Sequence, residues 1–218
     1  MTRFLAVTAL AVALTVALLV AAADPSQAAA GSLSLKIAPS SVSPLGTATL
    51  SGRVLPKLTK PGKLFVQSSP NNKVFTTIKT LRLPKGATKY RTTYTAGASL
   101  GPVFLRAKFR TLTTKGLKLT VTETVDVDIL GFAFSPKVLT VKPWTTVRWT
   151  NHDPVLVSHT VASVNSLDLN ATLTGLFASG PIASGHTFSY AFTTPGTFFY
   201  ECQIHVLNAA MHAEVIVQ

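Results

Sequence analysis

Gly196-Thr197-Phe198-Phe199-Tyr200-Glu201-Cys202-Gln203-Ile204-His205 is the stretch on which the reading of this chain turns. It starts as a strand, and the two-residue period of extended backbone puts Phe198, Tyr200 and Cys202 on one face, expected to be the core side. It ends in the only cysteine of the sequence, a histidine three residues on and, beyond Val206 to Ala210, Met211, the only methionine apart from Met1. Cys202 at the strand's end, His205 in the loop and Met211 just before the closing strand Ala213 to Val217 can present a thiolate, an imidazole and a thioether to one point. That donor set suits a copper ion cycling between Cu(I) and Cu(II). A fourth donor must come from upstream. His159, at the start of a strand, is the natural choice, and His152 is its rival.

Working outward, residues 129–218 carry all five histidines and few charges. Phe132-Ala133-Phe134-Ser135-Pro136 leads to Val138 to Pro143 and then to Thr146-Val147-Arg148-Trp149-Thr150. The turn Asn151-His152-Asp153-Pro154 and a short apolar insertion precede Ser158-His159-Thr160-Val161. Ala162 to Ser179 reads as a looser segment wrapping one end of a sandwich. His186 to Phe192 alternates as a strand should, and Thr194-Pro195-Gly196 turns the chain. His186 and His212 are expected at the surface, flanking strands, with shielding of the site as the alternative for His212, and Trp149 and the phenylalanines in the core.

Residues 31–128 have another texture. Leu33 to Ile37, Thr47 to Val54, Lys63 to Gln67, Phe75 to Leu81, Lys89 to Tyr94, Val103 to Arg110 and Leu117 to Val127 read as strands, separated by turn signals such as Pro61-Gly62 and Pro84-Lys85-Gly86. About seven strands at this spacing predict an immunoglobulin-like sandwich. The segments "ATLSGRV", "GKLFVQSS", "YRTTYT" and "GPVFLRAKFR" resemble bacterial Ig-like modules in order, which implies a fold and no functional residues. Here sixteen Lys and Arg face only Glu123, Asp126 and Asp128, a net charge of +13, whereas residues 129–218 carry −1. A basic face of that kind attracts anionic partners, with a solvated surface as the plain alternative. Without aromatic side chains interleaved among the cations, nucleic acid is not expected.

Arg3, the apolar run Phe4 to Ala23 and the small residues Ala28-Ala29-Ala30 have the form of an export signal over residues 1–30, cleaved after Ala30 or Ala23, with an uncleaved membrane anchor as the alternative. Either way the remainder is expected outside the cytoplasm: in the periplasm, at the cell surface or secreted. A single cysteine excludes an internal disulfide and a Cys-rich zinc module. In an oxidising compartment a lone thiol needs a reason, and a metal is one.

At "WTNHD", "SHTV", "SGHTFSYAF", "PGTFFYECQIH" and "MHAEVIV" the chain resembles the cupredoxins, the small blue copper proteins that include plastocyanin, pseudoazurin and amicyanin. The resemblance covers about residues 131–218. It implies a Greek-key β-sandwich with one type 1 copper near one end, His159, Cys202 and His205 as equatorial ligands and Met211 as the weak axial one. The loop from His205 to Met211 is longer than is usual in the family, and Val206 stands where proline is common. With one cysteine there is no two-copper centre, and with no His-x-His pair there is no multicopper oxidase pattern. The expectation is therefore an all-β chain of two sandwich domains, 31–128 and 129–218. It is expected to be an exported electron-transfer protein and not an enzyme, working with a redox partner protein and docking its basic domain on an anionic partner, cell envelope or membrane surface. Copper storage or delivery, or an adhesive envelope protein with a vestigial site, are the rival readings.

Overall fold

Alternation decides the strands. In Thr47–Leu55 the side chains of Ala48, Leu50 and Val54 are buried while Thr47 and Arg53 face solvent, the pattern of a sheet with one wet face. In a computed structural model of the chain, which describes residues 31–218, ten strands of this kind build the first sandwich. They are β1 (Ser32–Leu33), β2 (Lys36–Ala38), β3 (Ser41–Val42), β4 (Thr47–Leu55), β5 (Gly62–Ser69), β6 (Thr76–Leu83), β7 (Lys89–Thr95), β8 (Gly101–Phe109), β9 (Leu112–Thr113) and β10 (Leu117–Val121). One sheet has β4 between β7 and the short β1 and β2. The other runs β3-β10-β8-β5-β6, with β9 folded back on β8. Leu50, Val54, Leu64, Val66, Leu105 and Leu119 fill the space between, each fully buried aliphatic side chain contributing about 1.5–3 kcal/mol. The export-signal expectation falls on residues 1–30, outside the described residues. No helix among the described residues is long and apolar enough to cross a membrane.

The second sandwich holds β11 (Glu123–Ile129), β12 (Phe134–Ser135), β13 (Val138–Val141), β14 (Thr145–Asn151), β15 (Ala162–Val164), β16 (Leu173–Ala178), β17 (Thr187–Phe192), β18 (Gly196–Glu201) and β19 (His212–Val217). Its sheets run β12-β11-β14-β17 and β13-β19-β18-β15-β16. The pairs β11–β14 and β13–β19 are parallel. Trp149 is the centre of the core. It is fully buried, stacked on Phe177 and Phe188 with ring centroids 6.0 and 5.7 Å away and edge-on to Tyr200 at 5.3 Å. The all-β, two-sandwich expectation therefore stands, and Phe198, Tyr200 and Cys202 pack into this core.

Two expectations change. The strand expected over Leu117 to Val127 is two strands. At Thr122 the backbone N–H still bonds Val42 of the first sandwich (3.0 Å), but the hydroxyl donates to the Trp144 carbonyl of the second (2.7 Å). Everything after it pairs only with the second sandwich, so by sheet pairing the sandwiches divide at Thr122 and not between 128 and 129. A continuous alternation of strand-forming residues conceals such a switch of sheets. The looser segment 162–179 likewise contains β15 and β16, an edge hairpin. Of the β16 residues only Phe177 is buried, so no apolar period announces the strand.

The new division has two consequences. Glu123, Asp126 and Asp128 pass to the second sandwich, leaving residues 31–122 with sixteen cations and no carboxylate at all, and residues 123–218 with three cations and seven acids. In addition, β11 and β14 run side by side away from the junction, where Trp144 lies 3.3 Å from the space a side chain on Gly101 would need. The loops that follow Ile129 and Asn151 therefore lie at the opposite pole, roughly 20 Å away for strands of this length.

Candidate metal centre

Three loops meet at that pole, and polar side chains fix them. Asn151, buried at the end of β14, donates its Nδ2 to the Val157 and Ile182 carbonyls (2.9 Å each) and accepts the Asp153 N–H on Oδ1 (2.9 Å). The His159 backbone is bridged to Ile182 in both directions, at 3.2 and 2.7 Å. Gly131 and Phe132 form the two-residue turn between β11 and β12, with φ of +62° and +58°, as a type I′ hairpin requires. Their N–H groups donate to Asp153 Oδ1 (2.6 Å) and Oδ2 (3.3 Å). A left-handed phenylalanine is strained, and such strain gathers at functional sites. Here it sets the Phe132 ring edge-on to His205 and His159, with centroids 4.9 and 5.6 Å away.

Inside this frame one ring nitrogen each of His159 and His205 and the sulfur of Cys202 lie within 4.8 Å of one another. Cys202 Sγ is 3.8 Å from His159 Nδ1 and 3.4 Å from His205 Nδ1. Two bonds of about 2.0 and 2.3 Å to one first-row metal would hold nitrogen and sulfur at about this spacing. The Thr160 N–H points at Cys202 Sγ (3.3 Å). His159 Nε2 bonds Asp153 Oδ2 at 2.7 Å, and both side chains are buried. That bond fixes the tautomer and leaves the Nδ1 lone pair facing the cluster. Burial would raise the Asp153 carboxyl, but the donors Gly131, His159 and Phe132 together hold it below the usual carboxylate value. Burial, and then the facing His159, push the His205 imidazole below its usual value, keeping its lone pair available. The donor set fits copper: two imidazoles and one thiol in a fixed array.

Of the expected donors, His159, Cys202 and His205 come together. Met211 is fully buried in the same core, and its carbonyl accepts the Cys202 N–H at 3.0 Å. It therefore stands opposite Cys202 across the β18–β19 pair, and directly opposed residues share a face of the sheet. His152 is not in the cluster. Its Nε2 meets Asp128 at 3.0 Å on the surface. His186 is exposed as expected, but His212 is not. It is buried, its Nε2 donating to the Val206 carbonyl (2.7 Å) and its Nδ1 lying 3.7 Å from the buried Glu201 carboxylate. The reason is register: His212 pairs with Glu201, and the ligand loop folds over both.

Sequence reasoning missed Asn151, Asp153, Thr160, Phe132 and Glu201. Asp153 carried a signal, as the acid of the Asn151-His152-Asp153-Pro154 turn, six residues ahead of His159. Phe132 carried none, because only its backbone conformation brings it to the site.

Residues 121–218 match the sequence profile of copper-binding proteins of the plastocyanin/azurin family. No curated protein matches the chain. Among solved structures, the chain is similar to a multicopper oxidase, with a TM-score of 0.31 and 12% identity, covering 73% of this chain and 71% of that one. It is also similar to red sea bream transglutaminase, with a TM-score of 0.34 and 14% identity, covering 85% of this chain and 31% of that one.

Proposed function

With residues 121–218 belonging to the plastocyanin/azurin family of copper-binding proteins, we propose that the chain is an exported carrier of single electrons, and that its basic sandwich docks it on an anionic partner. The observation that carries this reading is the buried His159–Cys202–His205 cluster. Bound there, copper supplies a one-electron couple. His159, Cys202 and His205 would hold it, with Met211 as a weaker fourth donor. The protein's part is to keep those donors still. Asp153 and Ile182 fix His159, Thr160 fixes and polarises the sulfur, and His212 ties down the ligand loop at Val206. A donor set that cannot rearrange lowers the cost of changing oxidation state.

His205 is the exit for the electron. His159 and Cys202 are fully buried whereas His205 is half-buried. Around it Phe132, Ile204 and Leu207 are exposed, as are Val155 and Leu156 on the neighbouring loop. Leu156 is 97% exposed and in a left-handed conformation, strain of the kind that gathers at functional sites. The reading as a carrier and not an enzyme rests on the closed donor set. Burial of two of the three ligands argues against storage or delivery, which needs easy exchange.

The test is to add Cu(II) to the mature protein. An intense blue colour that Cys202→Ser abolishes is expected, together with a reversible couple in cyclic voltammetry. A colourless protein sinks the copper reading, and an irreversible couple sinks the carrier reading.

A further inference from the structure

The outer face of the β1/β2-β4-β7 sheet carries two rows of side chains on neighbouring strands. In one row Ser34, Arg53 and Lys89 lie side by side, with Ser34 and Arg53 joined through backbone and hydroxyl (3.0 and 2.9 Å) and Arg53 directly opposite Lys89. In the other, Ser51 lies between Lys36 and Arg91. The rows are about 6.8 Å apart along the strands and neighbours about 4.8 Å apart across them. All four cations are exposed, and none has a carboxylate partner among the described residues. They flank an open groove of about 610 Å³. Between the rows Gly52 leaves bare backbone, and Tyr90, buried on the core side of the sheet, lies so close beneath it that a Cβ there would fall 2.5 Å from the Tyr90 oxygen.

Like charges directly opposite one another destabilise a sheet. Arg53 faces Lys89 with no acid anywhere in residues 31–122 to relieve them. An anion in the groove would relieve the repulsion, and the fork of each arginine with the flanking serine hydroxyls is the donor set that phosphate oxygens take. The geometry points to this face as a binding site for a flexible linear polymer of phosphate groups. Further cations lie on the opposite sheet, among them Lys63, Arg82, Lys108 and Lys118, all exposed. The exposed large apolar residues of this sandwich are Leu45, Val74 and Ile78, none aromatic and none on this face. That leaves nothing to insert into lipid and nothing on which bases could stack. The site deepens the docking part of the proposed function and rests on it, while the copper part stands independently at the other pole.

Long-chain inorganic polyphosphate is the probe, titrated into the full mature protein at several salt concentrations. Binding is expected to weaken steeply with salt. Four phosphate contacts at a slope of about 0.7 each correspond to roughly a 600-fold loss per tenfold rise in salt. The variant Lys36→Gln/Arg53→Gln/Lys89→Gln/Arg91→Gln should lose affinity at least tenfold and flatten the slope. The equally neutralised Lys63→Gln/Arg82→Gln/Lys108→Gln/Lys118→Gln should change it by less than threefold. All eight positions are exposed, and an unchanged thermal transition verifies folding. Equal losses in the two variants overturn the face while leaving the docking reading intact. Tighter binding to phosphatidylglycerol vesicles than to polyphosphate overturns the polymer. No binding to either overturns the docking reading itself.

Discussion

The first sandwich buries one polar side chain, Ser69, whereas the second buries eight: Thr145, Asn151, Asp153, His159, Thr160, Ser163, Glu201 and His212. Both have the same architecture of two sheets around an apolar core, and both follow the same two-residue period. They differ in where that period is broken. In the first the polar residues stay outside and carry a uniform positive charge, so its chemistry is long-range and lies on its surface. In the second, polar groups are brought inside, most of them toward one pole, and most meet donors or acceptors there, since an unmatched buried polar group costs about 1–3 kcal/mol. Trp149 Nε1, Tyr200 Oη, Glu201 Oε2 and His212 Nδ1 are the buried side-chain atoms without a hydrogen-bond partner among the described residues. A sandwich whose proposed role is docking can leave its core apolar. One that has to hold an ion must place hydrogen bonds in the interior.

If the comparison holds, the two cores can be broken separately. Trp149→Ala should destabilise the second sandwich by about 3–5 kcal/mol, and Leu105→Ala the first by about 2–5 kcal/mol. Calorimetry of the apo-protein should then show one transition moving in each variant while the other stays, with the blue colour of Leu105→Ala intact at ambient temperature. A single transition moving as one in both variants would mean that the junction at Thr122, Gly101 and Trp144 welds the cores into one cooperative unit.

A smaller effect tests the buried carboxylate. Asp153 accepts from His159, Gly131 and Phe132, and a hydrogen bond to a charged group contributes about 1.5–3 kcal/mol. Asp153→Asn should therefore destabilise the apo-protein by about that amount. With copper bound, a negative charge behind His159 favours the Cu(II) state, so its removal should raise the reduction potential by tens of millivolts, up to roughly 100 mV. A lost stability with an unmoved potential would make Asp153 structural only.

These residues also mark how far the sequence could be read. Both sandwiches were legible from alternation, because exposure on one face imposes period two wherever a strand is half-buried. Cys202, His205 and His159 were legible because their donor types and order are rare. The switch at Thr122 was not, since nothing in Leu117 to Ile129 distinguishes one strand crossing between sheets from two. Burial of His212 depended on its pairing with Glu201, a cross-strand relation of register that local pattern does not carry. Phe132 reached the site through a positive φ in a Gly-Phe turn, where composition would more readily have suggested Asn-Gly.

The pH dependence separates the sandwiches next. His205 and Asp153 both have lowered pKa values in the folded apo-protein, so the unfolded chain takes up their protons first and stability falls as pH falls. Loss should begin below the ordinary histidine value of about 6.5 and resume below about 3.9 for the carboxyl. Urea midpoints of the second transition, followed from pH 8 to 3, should show both steps, and His205→Gln should remove the upper one. The first sandwich, with neither His nor acid, should stay level over that range. A matching decline there would locate the effect elsewhere.

The smallest expected change concerns Met211. It is buried opposite Cys202 at the end of the shared sheet, in a loop that His212 holds at Val206. Met211→Leu conserves volume and should cost less than about 1.5 kcal/mol, so the fold and the three strong donors survive. The blue colour should persist, because it belongs to the cysteine sulfur. The potential should rise, because losing a donor leaves the more highly charged Cu(II) less well coordinated and leucine makes the site more hydrophobic. An unchanged potential would remove Met211 from the donor set and make it a core residue of the second sandwich, the counterpart of the leucines that fill the first.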